Sequence, residues 1–365
     1  MFASPPDSTK SDYRVELADR LHDQTIRVPD LLELYGKRNL HEKSNAITET
    51  LRLHLEEAWF NLYIPTESQR SRQRRNDIAY CASLFYPNVS PAKLKPLARL
   101  LAWLCFWDDE VDSGTVAQDE EKVQAYCKDS ITFIRSCFQP ELGAKPPAPG
   151  RLHNCGVFVD IAETMKADQS TKDRDRFVQA LIDFVRATGE AAARSTTNLP
   201  LVDEYIKRRS NTVGFMFIFY SMNWAYGLSL PTWLWEHEAM QRSIHEALTG
   251  IWLTNDIISL SKEVANEEYD SIIPILVYHE NSSVQQAVNK AVDMMSGPYE
   301  TFKAAAKDLS HVVAKEDDSV KRDIEIWIDA LTNTLIENLV FHLRSPRYLP
   351  RQAFEDDTYR FSVTL

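Results

Sequence analysis

Apolar residues recur along this chain with the period of an α-helix. Between residues 46 and 63 they recur at steps of three and four residues, and this pattern stops at Pro65. Strand-like alternation is scarce. The helical period returns in residues 75–85, 122–138, 152–166, 173–194, 202–226, 233–264, 283–309 and 321–342. The sequence therefore predicts an all-α fold of about ten to twelve helices without an internal repeat.

One further helix is predicted to carry an acidic cluster at its end. Ser90 offers an N-cap and Pro91 a first helical position, and an apolar run leads from there to the acidic segment 108–112. Asp108 and Asp112 are one helical turn apart, so their carboxylates can converge on one cation. Mg²⁺ prefers such oxygen ligands together with substrate phosphates. The alternative is a solvated acidic helix end, but the aromatic and apolar residues before the cluster favour a buried helix facing a cavity.

A second group of oxygen-bearing side chains lies in the segment 253–263. Asn255, Ser259 and Glu263 are spaced four residues apart, and each such step turns only about 40° around a helix axis. Their amide, hydroxyl and carboxylate oxygens therefore form one stripe of hard ligands suited to Mg²⁺. Lys262 lies beside this stripe, where it can reach a phosphate. The alternative is a polar face turned to water, which the apolar residues on both sides of the stripe disfavour.

Composition narrows the classes of protein that this chain can represent. Its 365 residues allow one large domain or two ordinary ones. A net charge of −12 and a pI near 5.3 argue against a nucleic-acid partner or a stable membrane association, since both need a basic footprint. No signal-peptide pattern and no long apolar run is found, so we predict a cytoplasmic protein.

The division into domains follows from where the two polar groups fall. Residues 139–150 are rich in proline and glycine and could mark a domain boundary. Neither half of the chain carries a complete set of ligands, so we interpret this segment as a surface loop within one domain. We predict one domain over residues 26–350. Residues 1–25 are predicted to be a poorly ordered N-terminal tail, and residues 351–365 a C-terminal tail.

The two polar groups together resemble the metal motifs of one enzyme family. Residues 108–112, Asp-Asp-Glu-Val-Asp, resemble the aspartate-rich DDxxD motif of class I terpene cyclases, and residues 255–263 match the NDxxSxxKE form of their second motif. Order, separation and chain length are similar to those of the single-domain microbial and fungal sesquiterpene cyclases. Chain-elongating prenyltransferases share DDxxD but carry a second aspartate-rich motif, so the pair of motifs discriminates between the two classes.

Two more segments extend the resemblance, which covers roughly residues 28–350. Residues 205–214 resemble the family's arginine diphosphate sensor and the helix break that follows it. Arg209 is our choice for the sensor because of its spacing to Asn255, and Arg208 is the alternative. Residues 338–348 resemble the segment whose final Arg-Tyr pair, here Arg347 and Tyr348, closes over the diphosphate.

The resemblance implies a helical bundle around a central active-site cavity, with farnesyl diphosphate as substrate and three Mg²⁺ ions as cofactors. It assigns metal ligation to Asp108, Asn255, Ser259 and Glu263, with Asp112 acting through water, and diphosphate contacts to Arg209, Lys262, Arg347 and Tyr348. Asp109 would pair with the sensor arginine on closure. A homodimer is left open.

A carbocation formed from such a substrate must be shielded from water by apolar and aromatic walls. Candidates near the first motif and after the sensor are Phe85, Trp103, Phe106, Trp107, Phe215, Phe217, Phe219 and Tyr220. Taken alone, each ring is more often ordinary core, but their clustering beside both sets of metal ligands favours some lining role. Competing functions are a trans-prenyltransferase or a cyclase for another prenyl diphosphate and, from a different class, a catalytically inactive helical interaction protein.

Overall fold

The computed structural model describes residues 13–36, 44–112, 114, 116–117, 119–143, 145, 153–195, 199–354 and 358–365. In this part of the chain the fold is all-α, as predicted. The α-helices are α1 (Tyr13–Leu21), α2 (Thr48–Leu55), α3 (Asn61–Tyr63), α4 (Glu67–Asn76), α5 (Ile78–Phe85), α6 (Pro91–Asp112), α7 (Glu120–Phe138), α8 (Val157–Asp168), α9 (Thr171–Ser195), α10 (Val202–Thr212), α11 (Met216–Tyr226), α12 (Thr232–Glu236), α13 (Glu238–Ile258), α14 (Leu260–Ala265), α15 (Ile272–His279), α16 (Val284–Val312) and α17 (Asp318–Arg344).

Shorter elements join or extend these helices. A π-helical segment, Glu56–Phe60, connects α2 to α3, so the helix predicted for residues 46–63 is continuous but locally widened. Two strands, β1 (Thr25–Val28) and β2 (Phe361–Thr364), form the one antiparallel pair found in the described residues. The 3₁₀ turns are Leu31–Tyr35, Pro140–Leu142, His153–Gly156 and Arg351–Ala353.

The long helices pack around the interior of a bundle. Helix α13 packs along α16 and α17, α9 packs against α7, α10 and α11, and α6 contacts α5, α8 and α9. Their apolar faces join in a single hydrophobic core. Burial of these faces is the main stabilising contribution, since it removes apolar area from water. The bundle holds the polar ends of α6 and α13 on either side of one cavity.

Gly214 lies in a break between α10 and α11 that the sequence had indicated. Its φ of +74° is in the left-handed region that favours glycine. A Cβ at this position would lie 2.7 Å from Leu104 Cδ1 and 3.2 Å from Phe184 Cε2. Leu104 precedes Asp108 by one helical turn. The missing side chain of Gly214 therefore lets the break approach α6 directly beneath the aspartate motif.

Several elements were not predicted, and each lacks the local signal that prediction needs. Helix α4 has almost no apolar residue, although a capping box of Thr66 and Gln69 marks its start. Helix α15 is a short apolar run that contains a proline and is buried on every side, so it shows no amphipathic period. The described residues consequently contain more helical segments than predicted.

The predictions of an N-terminal and a C-terminal tail are wrong for the described parts of both ends. In α1, Leu17 and Leu21 are fully buried. Strand β1 pairs with β2, and Ile26 lies opposite Val363. The two termini therefore hold each other through main-chain hydrogen bonds that no local pattern reveals. Residues 1–12 and 355–357 lie outside the described residues.

Other sequence-based interpretations can be compared only in part. Helix α7 is followed by the 3₁₀ turn Pro140–Leu142, which begins the proline-rich segment. Most of the rest of that segment lies outside the described residues. All five cysteines are free thiols. Among the helices that the structure describes, none is long and apolar enough to cross a membrane.

Candidate active site

A cavity of about 600 Å³ opens among α6, α10, α13, α14 and α17. Its wall carries every polar side chain that the sequence assigned to metal or diphosphate. These are Asp108, Asp109, Asp112, Arg209, Asn255, Ser259, Lys262, Glu263, Arg347 and Tyr348. Residues separated by more than half the chain thus share one surface.

The cavity-facing stripe of α6 contains Leu101, Leu104, Cys105, Asp108 and Asp112, at the three- and four-residue spacing of one helix face. The stripe changes from apolar to acidic toward the C-terminal end of α6. Loss of hydration, reinforced by the adjacent Asp109 carboxylate, raises the pKa of Asp108 to about 6. The ionised form of Asp108 is therefore poorly compensated by the protein alone.

The Asp109 carboxylate contacts Arg347 and Arg72 rather than Arg209. It accepts two hydrogen bonds from Arg347, at 2.8 and 3.3 Å, and Arg72 of α4 lies 3.4 Å away. Burial raises its pKa, but the positive charge of Arg347 and its neighbours outweighs this effect and holds the pKa below its usual value. In this structure Arg347 binds the Asp109 carboxylate, and the pairing of Asp109 with Arg209 on closure stays a prediction.

The second motif keeps its stripe although the helix is interrupted at Ser259. The Ser259 amide donates to the Asn255 carbonyl at 2.8 Å, and the Glu263 amide donates to the Ser259 carbonyl at 2.9 Å, so the α-helical path continues. Ser259 Oγ lies 2.6 Å from the Asn255 carbonyl oxygen and 2.5 Å from Glu263 Oε1. Burial, and then the negative charge of Asp256, raise the pKa of Glu263 to about 7.

The structure distinguishes the two candidate sensor arginines by their partners. Arg209 donates to Asn255 Oδ1 at 2.7 Å and to Asp256 Oδ1 at 3.1 Å. Arg208 instead forms a two-oxygen ion pair with Asp270, at 2.6 and 2.7 Å. Arg209 is therefore the arginine in direct contact with a residue of the second motif.

The Arg-Tyr segment follows the end of α17 and folds back toward the cavity. The Tyr348 amide donates to the Ser345 carbonyl at 3.1 Å. The Tyr348 ring stacks on His342 with 4.5 Å between ring centroids. Among the described residues Lys262 forms no ion pair, so its ammonium group is available to an anion in the cavity.

The donor set fits a hard divalent cation. Asp108, Asn255, Ser259 and Glu263 supply oxygen atoms, and Glu263 Oε2 is buried without a hydrogen-bond donor. In the part of the chain that the structure describes, no three His, Cys, Asp or Glu side chains form a closed metal cluster. The oxygens are distributed over two motifs that face the same cavity, an arrangement suited to ions shared with a phosphate-bearing ligand.

Two of the eight aromatic candidates, Phe85 and Phe215, line the cavity. Their rings meet edge to face with centroids 5.7 Å apart. The other six predictions are wrong, because those rings lie on faces of α6 and α11 that point into the core or toward another surface. They are Trp103, Phe106, Trp107, Phe217, Phe219 and Tyr220.

The contacts of these six rings explain the error. Trp103 and Trp107 pack against Phe184, and Phe217 packs against the same ring. Tyr220 packs on Trp235 and Phe219 on Phe215. Phe106 borders a separate depression beside α4. Counting aromatic residues near a motif could not identify which helix face lines the cavity.

Sequence analysis also missed residues that organise the site. Asp256 is fully buried and accepts hydrogen bonds from Tyr205, Arg209 and the Ile272 amide. The place of Asp256 inside the second motif, directly after Asn255, was the available signal. His342 contacts Asn255, and burial lowers the pKa of its imidazole to about 4. A lone histidine between Phe341 and Leu343 was the corresponding signal.

Comparisons with known proteins agree with this geometry. A family model described as terpene synthase family 2, C-terminal metal binding, matches residues 99–300, more than half of the chain. A terpene cyclase of Annulohypoxylon truncatum is 25% identical over 364 residues, which are 98% of this chain and 95% of that protein. A sesquiterpene cyclase of Aspergillus oryzae is 23% identical over 310 residues, covering 82% of each chain.

A solved structure shows the same fold. Germacradien-4-ol synthase from Streptomyces citricolor matches with a TM-score of 0.72 and 18% sequence identity, covering 86% of this chain and 98% of that one. The residues that the family model matches contain both oxygen-rich motifs and Arg209, which lies between them. This chain therefore belongs to the terpene synthase family and has the class I cyclase fold.

Proposed function

We propose that this chain is a Mg²⁺-dependent sesquiterpene cyclase. It ionises farnesyl diphosphate, closes the resulting carbocation into a cyclic hydrocarbon or alcohol, and releases diphosphate. One observation carries this proposal: the same cavity is lined both by charged groups and by apolar side chains, and its lining along α6 changes from Leu101 and Leu104 to Asp108 and Asp112. A prenyl diphosphate has an anionic end for the charged part of such a wall and a hydrocarbon chain for the apolar part.

The charged part of the cavity wall suits the leaving group. Asp108, Asn255, Ser259 and Glu263 would hold the metal ions, with Asp112 acting through water, and bound Mg²⁺ supplies positive charge that stabilises the departing diphosphate. Arg209, Lys262 and Arg347 donate hydrogen bonds to phosphate oxygens, and Tyr348 adds one more. Arg347 must exchange its Asp109 carboxylate for the diphosphate, and Arg72 remains beside Asp109 to balance that charge.

The apolar part of the cavity wall suits the hydrocarbon. Phe85, Phe215 and Phe341 line the cavity together with Leu101, Leu104 and Ile251. Their side chains exclude water from the reacting chain, and the electron-rich faces of aromatic rings stabilise nearby positive charge. The wall thus protects the cation until the chain has folded and closed.

The substrate class rests on the relatives. Proteins similar along most of this chain are named sesquiterpene cyclase and (+)-eremophilene synthase. We propose the cytoplasm as the site of the reaction, where free thiols remain reduced.

Incubation of the purified protein with farnesyl diphosphate tests the proposal. The organic extract is analysed by gas chromatography and mass spectrometry, with Mg²⁺ and with EDTA. Geranyl diphosphate, geranylgeranyl diphosphate and farnesyl plus isopentenyl diphosphate are the comparison substrates. We expect cyclic sesquiterpenes from farnesyl diphosphate with Mg²⁺ only. Elongated linear products would identify a prenyltransferase, and absence of turnover with all substrates would contradict an enzymatic role.

A further inference from the structure

His342 on α17 contacts both the second metal motif and the Arg-Tyr segment, and the proposed reaction gives it no role. Only 5% of its surface is exposed, so its ring nitrogens are bonded within the protein. Nδ1 lies 2.7 Å from the Asn338 carbonyl oxygen, and Nε2 lies 3.1 Å from Asn255 Nδ2. The ring plane is inclined by 21° to that of Tyr348 in a stacked contact.

These contacts determine which ring nitrogen carries the proton. A main-chain carbonyl can only accept, so His342 Nδ1 donates to Asn338. In the neutral ring Nε2 is then an acceptor, and it requires the NH₂ group of the Asn255 amide opposite it. His342 therefore discriminates between the two orientations of this amide, which have nearly the same shape but opposite polarity.

The selected orientation directs the other end of the amide toward the diphosphate site. Asn255 Oδ1 accepts from Arg209 at 2.7 Å. The reversed amide would point an NH₂ group at the Arg209 guanidinium and at the metal position, and an amide NH₂ does not ligate a cation. Arg209 supports the same orientation, but the proposed reaction directs its donors to the diphosphate. The hydrogen bond with His342 is therefore the contact that still orients the Asn255 amide when the diphosphate is bound.

We propose that His342 is a positioning residue that holds Asn255 with its amide oxygen toward the metal-diphosphate site. This inference rests on the proposed function, because amide orientation affects metal binding only if Asn255 is a ligand. Groups that orient a ligand typically change metal affinity by about 10- to 100-fold when they are removed. The stacking on Tyr348 also places the same ring against the Arg-Tyr segment.

The test separates hydrogen bonding from packing. His342→Phe keeps a ring against Tyr348 but removes the acceptor for Asn255. The Mg²⁺ concentration that gives half of the thermal stabilisation by inorganic pyrophosphate is measured for each protein. We expect His342→Phe to raise this concentration roughly 10- to 100-fold. The near-isosteric pair His342→Gln and His342→Met gives a second comparison, in which only Gln offers an oxygen acceptor and has the smaller effect.

A double-mutant cycle with Asn255→Asp tests amide orientation directly. Both terminal atoms of Asp are oxygens, so no wrong orientation exists in that background. His342→Phe should then change the Mg²⁺ requirement much less than it does beside Asn255. The control is His245→Phe, the same substitution at an exposed position of α13 away from the cavity, which should leave the Mg²⁺ requirement unaltered.

Equal effects of His342→Phe in both backgrounds would show a packing role and overturn the proposal, as would an unchanged Mg²⁺ requirement beside Asn255. Wild-type protein that binds no pyrophosphate with Mg²⁺ would instead contradict the proposed function. The two failures are therefore distinguishable.

Discussion

At the residue scale, the site places acidic groups where the protein itself supplies too little positive charge. Asp108 and Glu263 have raised pKa values because they lose hydration, and other carboxyls lie beside them. Asp109 differs, since Arg347 compensates its charge. The first two carboxylates are therefore the stronger candidates for metal ligation, and Asp109 for control of Arg347.

This difference predicts which acids are needed for turnover. Asp108→Asn and Glu263→Gln each remove a charged ligand while keeping nearly the same volume. We expect either change to lower kcat/KM by about 10²- to 10³-fold, the usual cost of one preorganised electrostatic group. Asp317→Asn is the matched control, because Asp317 is exposed and its side chain caps no helix. Similar losses in all three variants would contradict the assigned metal ligands.

Product identity should depend on rings that face the cavity rather than on rings near the motifs. Phe215→Leu replaces a cavity-lining ring with a smaller side chain and removes its quadrupole, so the products should redistribute more than the rate of farnesyl diphosphate consumption falls. Phe217→Leu changes a ring that packs on Phe177 and Phe184 in the core. Chromatographic product ratios should stay the same in Phe217→Leu. Redistribution only in that control would refute the assigned wall.

At the element scale, the break between α10 and α11 sets how closely α10, which carries Arg209, approaches α6. Arg209 lies near the end of α10, and Gly214 contacts Leu104 beneath Asp108. The contact needs both a left-handed backbone and the absence of a side chain. Close packing at this point therefore couples the position of Arg209 to that of the first motif.

Two glycine variants separate these requirements. Gly227 has a φ of +67° and no atom within 4 Å of the place an alanine Cβ would take, whereas Gly214 has a φ of +74° and a close neighbour. Gly227→Ala should lower the free energy of unfolding by about 1–2 kcal/mol, the cost of a left-handed backbone. Gly214→Ala should cost about 2–5 kcal/mol because overpacking adds to that strain. Urea denaturation measures both, and equal losses would show that the contact with Leu104 relaxes freely.

At the scale of the whole molecule, the raised carboxyl pKa values connect metal binding to stability. A carboxyl whose pKa is higher in the folded protein stabilises the fold fully below its unfolded pKa and loses that contribution as the pH rises through its folded pKa. For Asp108 and Glu263 the loss occurs between about pH 4 and pH 7. Mg²⁺ binds the ionised forms and should offset the loss.

The thermal stabilisation by Mg²⁺ should therefore be larger at about pH 8 than at about pH 5. The shift in Tm is measured with Mg²⁺ and with NaCl of equal ionic strength, which corrects for general salt effects. Glu263→Gln should reduce both the stabilisation and its dependence on pH. A shift that is constant with pH would contradict ligation by these buried carboxyls.

The sequence by itself determined the helical class, the position of most long helices and the polar residues of the site. These properties depend on local spacing: apolar residues at helical period, and ligands four residues apart on one helix face. Asp108, Asn255, Ser259 and Glu263 could therefore be proposed as ligands before any tertiary contact was known, and all four line the cavity.

Only the tertiary structure decided which side chains meet across the cavity. Arg347 rather than Arg209 donates hydrogen bonds to the Asp109 carboxylate in this structure. Phe215 rather than Phe217 lines the cavity wall. Two further contacts could be seen only in the tertiary structure: the strand pair between the two ends of the chain, and the contact of His342 with Asn255. Helical period fixes the faces of each helix but not their rotation against its neighbours. That rotation results from the packing of the whole core, to which distant parts of the chain contribute together.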